Sequence, residues 1–351
     1  TAPTTAPTTG PTGWQPPKSM NWTSQSTTSV GFPSLVAVAD AVSEATGVAI
    51  KVVAAGTGLD RAATMRAKES ITEFANAADA FCWQTGELDL ELDGWGPQIG
   101  RELWLGGPFS QGFVTQADSG IKTIQDIRGR KVTSYPSYPL VQRYHDSFLA
   151  FGGLTWEDVK PIPFASAGQA WSALVAGTVE CGFLSQESAS AYELEASPHG
   201  IYWIPFPASD TEGWKRLQGQ CPFFFPLTVT TGPGASPANP VEIYGYVFQE
   251  IAYASMDDNL AYWLVKTKTE NYDKFKDKHV YSATFTLENA VKVDRASLPF
   301  HPGAIKYYKE VGVWGAKEDA WQAKKLAEEQ QFIAAWKTQH PDWKWQGTAN
   351  Q

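Results

Sequence analysis

The stretch KVTSYPSYPLVQRYHDSFLAFGGLTWEDVKPIPFASAGQAWSALVAGTVECGFLS (residues 131–185) decides the fold class. It opens on the apolar run around Val132 and then meets a turn, Ser134-Tyr135-Pro136-Ser137-Tyr138. A helical pattern follows over 139–151, stopped at Gly152-Gly153. A strand is expected at 160–164, a helix at 168–176 ending at Gly177, and a strand at 180–184. Helix 188–196 and strand 201–205 continue the alternation. Strands alternating with helices imply parallel sheet covered on both faces.

Upstream the same rhythm is visible. Leu35, Val38, Val42 and Ala45 recur at helical spacing with Gly47 as a stop, and Ile50–Val53 reads as a strand. Phe81-Cys82-Trp83 reads as a buried strand end and 112–115 as another strand, while 118–134 reads as a short helix, a Gly turn and a strand. Past the Gly/Pro/Ala loop at 232–240, the spacing of Val241, Tyr244, Val247, Phe248 and Ile251 predicts a helix over 240–256. Further helices are expected at 257–267 and 316–337. The reading is α/β, with two doubly wound lobes and additional C-terminal helices. Residues 1–18, with six Thr and five Pro, read as an extended or disordered tether before the globular body.

Composition narrows the function. The chain has 351 residues, 43% hydrophobic and 19% charged, so it can bury a sizeable core. A net charge of −9 gives no basic surface for tracking phosphates, so nucleic acid is not an expected partner. No run long and apolar enough to span a bilayer is present, and any leader is expected to have been removed already. Cys82, Cys181 and Cys221 lack metal-ligand spacing. Cys82 and Cys181 read as small core residues, with a Cys181–Cys221 disulfide left open.

Catalytic constellations are missing. The five histidines form no HExxH, and neither GxSxG nor a phosphate-binding P-loop occurs. Gly56-Thr57-Gly58 begins a dinucleotide fingerprint, but Arg61 stands where its third glycine belongs. The alternation Glu87-Leu88-Asp89-Leu90-Glu91-Leu92-Asp93 would place four carboxylates on one face of a strand or loop edge, which reads as a solvated edge. No cofactor, no metal and no enzymatic activity are expected. His145, early in its helix, reads as a solvent-facing residue and is the sole histidine placed for an enzymatic alternative.

Three turns between a strand and a helix instead look like a ligand site. Each is rich in hydroxyl, amide or Gly residues: Ser24, Gln25, Thr27, Thr28 and Phe32 in the first, Thr57, Gly58 and Arg61 in the second, Ser134, Tyr135 and Tyr138 in the third. Ligands of α/β sheets bind beyond the carboxyl ends of strands, where helix N-termini suit an anion. Trp83 and Gln84 would add an aromatic wall and an amide, joined by Gln169 with Trp171 and by Gln186 with Glu187. Arg61 and Arg143 are candidate bidentate partners for a carboxylate. On this reading, replacing Tyr135 or Gln84 with Ala weakens binding and leaves the unliganded melting temperature nearly unchanged.

Residues 20 to about 315 resemble the TAXI-type solute-binding proteins of TRAP transporters. The match is carried by Pro299-Phe300-His301-Pro302-Gly303-Ala304-Ile305-Lys306-Tyr307-Tyr308-Lys309-Glu310-Val311-Gly312. Ala117–Lys122 leading to Gly129-Arg130-Lys131-Val132 adds to it, as do Gly56-Thr57-Gly58 and the placement of Gln84. In this chain Ser and Thr largely replace the family's glycine-rich opening turn, and Arg61 stands about where the family often has Asn.

The resemblance implies a type II periplasmic binding protein, 19–117 plus 229–351 forming lobe I and 118–228 lobe II, joined by two hinge crossovers. It also implies capture of a small organic anion, such as a dicarboxylate, between the lobes, while the added Tyr135 and Tyr138 with Trp83, which depart from the family, point to an aromatic carboxylate. Delivery to TRAP membrane permease subunits would follow, from a monomer in the periplasm whose tether is compatible with a lipid anchor. The alternatives are a ligand-binding sensor for a signalling receptor and an enzyme on the same fold.

Overall fold

The computed structural model describes residues 13–344 except Thr28 and Asp93, and among them the side chains of Asp89 and Leu92 are left aside. The chain divides into two compact units. Unit 1 comprises the chain up to Gly107 and everything from Val247 onward, and unit 2 is Pro108–Tyr246. The passages between them fall inside two long strands, ahead of 117/118 and beyond 228/229.

In unit 1, β1 (Ser19–Ser24), β2 (Ala49–Ala54) and β3 (Thr72–Asn76) are parallel in the order β2-β1-β3. The helix α1 (Gly31–Thr46) joins β1 to β2 and buries Leu35, Val38 and Val42. Gly47 ends it in the left-handed conformation, φ 74°, as the spacing predicts. Next come α2 (Gly58–Arg66), α3 (Ala77–Thr85), the short α4 (Asp89–Leu92), and β4 (Gly100–Gln116), which carries the chain into unit 2.

Unit 2 repeats the three-strand pattern. Strand β5 (Lys131–Ser134) lies between β6 (Lys160–Pro163) and β7 (Cys181–Ser185), all parallel. Their connections are α5 (Pro139–Phe151) and α6 (Ala167–Val175). Then follow α7 (Ala189–Ala196), β8 (Ile201–Ile204), α8 (Thr211–Gln218), β9 (Phe225–Val229) and β10 (Val241–Tyr253), which returns the chain to unit 1. The unit 2 core joins Val114, Leu174, Leu184, Leu194, Trp203 and Ile243.

Back in unit 1 are α9 (Asp258–Glu270), α10 (Tyr272–Phe275), α11 (Leu287–Ala290), α12 (Pro302–Glu310) and α13 (Ala316–Gln339). The HPGA segment at 301–304 now has a packing reason. The His301 Nδ1 accepts from the Gly303 amide at 3.2 Å and Nε2 donates to the Met256 carbonyl at 3.1 Å, fixing the start of α12. A Cβ on Gly303 would stand 2.0 Å from the Asp258 carbonyl oxygen, so α12 approaches α9 as only glycine allows.

The α/β class is as expected, but four local readings are corrected. Residues 81–83 lie in α3, not a strand, because Asn76 caps the helix by accepting from the Ala78 and Asp79 amides while Asp79 reaches back. Residues 241–253 are a strand, not a helix. Their apolar residues fall at helical intervals, yet Ile243 to Tyr253 are all buried, so both strand faces pack. The sheet regions are mixed, because β10 pairs antiparallel with β3 and β9, and β4 with β7 and β8. Finally, residues 89–92 form a helical turn with Leu88 at φ 58° just before it, not a strand or loop edge.

Candidate functional site

Unit 1 offers the turn after β1. Ser24 donates from Oγ to Gln25 Oε1 at 3.1 Å, and Gln25 Nε2 donates to the Phe74 carbonyl of β3 at 2.5 Å. Both residues are buried, and these bonds hold the turn onto the sheet. Thr27 is exposed, Phe32 is half-buried, and Thr28 lies outside the described residues. The Ser29 hydroxyl accepts from the Phe32 amide at 3.3 Å. With no acidic residue in its first turn, α1 presents its partial positive charge unneutralised.

The second turn is different. Thr57 is exposed and caps α2 in a reciprocal box with Asp60, which puts a carboxylate at the helix start that begins with Gly58. That acid counters the dipole an anionic ligand would need.

Arg61 is not a free fork. It is 2% exposed; Nε donates to Glu73 Oε1 at 3.1 Å, one terminal nitrogen to the Ala55 carbonyl at 3.0 Å, and the other to Asp79. Burial holds the Glu73 carboxyl above the usual carboxylate range even against Arg61. This cluster ties α2 to β3 and α3, so the candidate role of Arg61 as a bidentate ligand partner is corrected to a structural one.

Trp83 and Gln84 sit on α3 rather than at a strand end. Trp83 is buried, its ring 4.8 Å from that of Tyr253, which makes it core rather than an exposed wall. Gln84 is also buried, and its Nε2 has no hydrogen-bond partner among the described residues.

In unit 2, β5 ends at the buried Ser134 and the chain turns into α5. Tyr135 is wholly buried, its ring 5.0 Å from His145 and 6.0 Å from Phe183. Its amide donates to Gln142 Oε1 at 2.6 Å, a bond that braces the turn and that no short sequence motif announces. Tyr138 is half-buried at the N-cap of α5. No side chain caps this helix and no acid lies in its first turn. The other strand-end helices of the unit are capped, α6 by Ser166 and α7 by Ser188.

Gln169 is exposed on α6, and Trp171 is half-buried against Phe183. Gln186 is buried; its Oε1 accepts from Ser110 Oγ at 3.3 Å and its Nε2 donates to the Thr231 carbonyl at 2.7 Å. It therefore braces unit 2 internally. Cys82, Cys181 and Cys221 are all buried free thiols, so the Cys181–Cys221 disulfide is not formed.

His145 is not solvent-facing. It is 1% exposed, with Nδ1–H donating to the Val141 carbonyl at 3.0 Å and Nε2 accepting from Thr133 Oγ at 2.9 Å. Burial lowers its pKa to about 4, so the ring is neutral near pH 7. The unfolded ring titrates near 6.5, so acidification through that window protonates only the unfolded chain. Stability present above pH 6.5 is then lost towards pH 4, on the order of 3 kcal/mol. Urea unfolding of the protein and of His145→Gln across pH 7 to 4 is expected to show the steeper loss in the unsubstituted chain. Parallel profiles would contradict the assignment.

No group of three or more His, Cys, Asp or Glu able to hold a metal occurs among the described residues, and none of their helices is long and apolar enough to cross a membrane.

The sequence profile of the NMT1-like family matches residues 24–312. Among solved structures, the alkanesulfonate-binding protein SsuA from Xanthomonas axonopodis pv. citri, bound to MOPS, is similar at 13% identity with TM-score 0.44, covering 93% of each chain. The periplasmic aliphatic sulphonate binding protein SsuA from Escherichia coli is similar at 12% identity and TM-score 0.47, over 92% of this chain and 83% of that one. An amino acid ABC transporter substrate-binding protein, AbpA from Streptococcus pneumoniae bound to L-arginine, is similar at 8% identity and TM-score 0.42, over 76% and 96%.

Proposed function

Because the chain belongs to the NMT1-like family, we propose from its helix ends that it is an extracytoplasmic solute-binding protein for a small organic anion. The turn before α5 takes the carboxylate. The observation that carries this reading is the start of α5, a thirteen-residue helix with neither a side-chain cap nor an acid in its first turn. With Pro139 in its first position, the helix start offers the amide hydrogens of Leu140 and Val141, and the dipole there favours a negative acceptor. Strand β5, which leads into that turn, is the middle strand of its parallel set, as β1 is of its own.

The aromatic ring of Tyr138 favours a carboxylate with an apolar or aromatic body. Ser134 and Gln169 are secondary contacts in this reading. Delivery to a TRAP-type membrane transporter is supported by the TAXI-like segments around 117–132 and 299–312, and a periplasmic location goes with it.

Mass spectrometry of what leaves the freshly purified protein on denaturation tests the reading. An organic acid at close to one per chain is expected. A cationic or neutral compound in its place, or an acid that the native protein converts to product, would contradict it.

A further inference from the structure

A cavity of about 280 Å³ opens within unit 1, apart from that unit's turn after β1. Its position follows from the strand register. Ser70 and Ile71 stand just before β3, and Tyr253 closes β10, which runs antiparallel to it. The cavity therefore lies at the amino end of β3, whereas Ser24 and Asn76 mark the carboxyl ends of β1 and β3.

Met65, Ile71 and Leu260 give it an apolar wall, and Lys68, Ser70 and Asp257 a polar side. Ser70 is 3% exposed and its hydroxyl has no hydrogen-bond partner among the described residues. A buried hydroxyl with nothing to bond is costly, and it marks a place where a polar ligand atom would be stabilised. Lys68 forms no ion pair among the described residues and holds φ 60°, a left-handed conformation where a helix exit ordinarily has Gly or Asn. Asp257 caps α9 with one carboxylate oxygen, which accepts from the Leu260 amide at 3.0 Å.

We propose that this cavity binds a zwitterionic α-amino acid with an apolar side chain, independently of the anion site above. The ligand carboxylate pairs with Lys68, its ammonium with Asp257, and the side chain packs on Met65, Ile71 and Leu260. The two opposite charges on one cavity select a zwitterion, because a simple anion would face Asp257 and a simple amine would face Lys68. Size agrees as well. An apolar cavity of about 150 Å³ takes a benzene ring, so this one has room for roughly ten to twelve non-hydrogen atoms, about the size of phenylalanine.

Calorimetry with the full chain separates the outcomes. In the Tyr138→Asp protein, whose anion site is disabled, L-phenylalanine is expected to bind saturably, with 3-phenylpropionate (no ammonium) and phenethylamine (no carboxylate) at least tenfold weaker. Lys68→Gly removes the cation and relieves the left-handed backbone, so it should raise the melting temperature of the empty protein and weaken phenylalanine binding at least tenfold. Tyr138→Asp, a change at the other site, should leave phenylalanine binding intact. No binding of L-phenylalanine, equal affinity of Tyr138→Asp for 3-phenylpropionate, an unchanged affinity in Lys68→Gly, or a loss of phenylalanine binding in Tyr138→Asp would each overturn the assignment.

Discussion

Replacing Arg61 with Ala is expected to destabilise the protein by about 3–5 kcal/mol, because it leaves the carboxylates of Glu73 and Asp79 buried without a cation. Against a typical domain stability of about 5–15 kcal/mol this is a large fraction, and it should lower the melting temperature by on the order of 10 °C. Arg61→Lys should also be costly, since one ammonium cannot reproduce three separately aimed donors to Glu73, Asp79 and the Ala55 carbonyl. Combining Arg61→Leu with Glu73→Gln and Asp79→Asn should restore much of the loss. If Arg61 served a ligand instead, its removal would abolish binding and leave the melting temperature of the empty protein where it was. Thermal unfolding of the four proteins without ligand decides between these.

Tyr135→Ala is the second large effect, again about 3–5 kcal/mol, the usual range for emptying a fully buried aromatic site. The ring packs against His145 and Phe183, so its loss opens a hole beside a histidine whose hydrogen bonds depend on close packing. Tyr135→Phe, which keeps the ring, should cost far less. Urea unfolding measures both. This reverses the sequence-based expectation that Tyr135→Ala would spare the empty protein; a small loss would restore Tyr135 to the pocket wall.

The parts of the fold that local chemistry determines were legible. Helix α1 is set by Leu35, Val38 and Val42 with Gly47 behind them, and the 131–196 alternation is found close to where the spacing puts it. Misreadings arose where a local signal has two solutions. Val241, Tyr244, Val247, Phe248 and Ile251 fit a helix stripe, yet a strand packed on both faces needs no alternation. The density of β-branched and aromatic residues there was the better signal. At 76–79 the capping residues Asn76 and Asp79 announce a helix that the apolar run Phe81-Cys82-Trp83 obscured.

The site was legible as turns but not as side-chain roles. Arg61 meets partners 12 and 18 residues away, and Gln186 one 76 residues away, so only the folded chain shows that their polar groups are already taken. Ser29 stands in the hydroxyl-rich first turn but was not singled out, and Gln142 went unnoticed, since each acts through a backbone amide rather than a motif.

The most direct measurement is the affinity of Tyr138→Asp for the acid that accompanies the unsubstituted protein, with Tyr138→Phe as the control. An Asp at this N-cap supplies the missing acceptor for the first turn of α5 and adds a negative charge where the ligand's own charge is proposed to sit. The account predicts at least a tenfold loss of affinity, or about 1.4 kcal/mol, with the melting temperature of the empty protein unchanged or raised. An Asp variant that binds the acid as tightly as its parent would show that the helix start does not hold the anion.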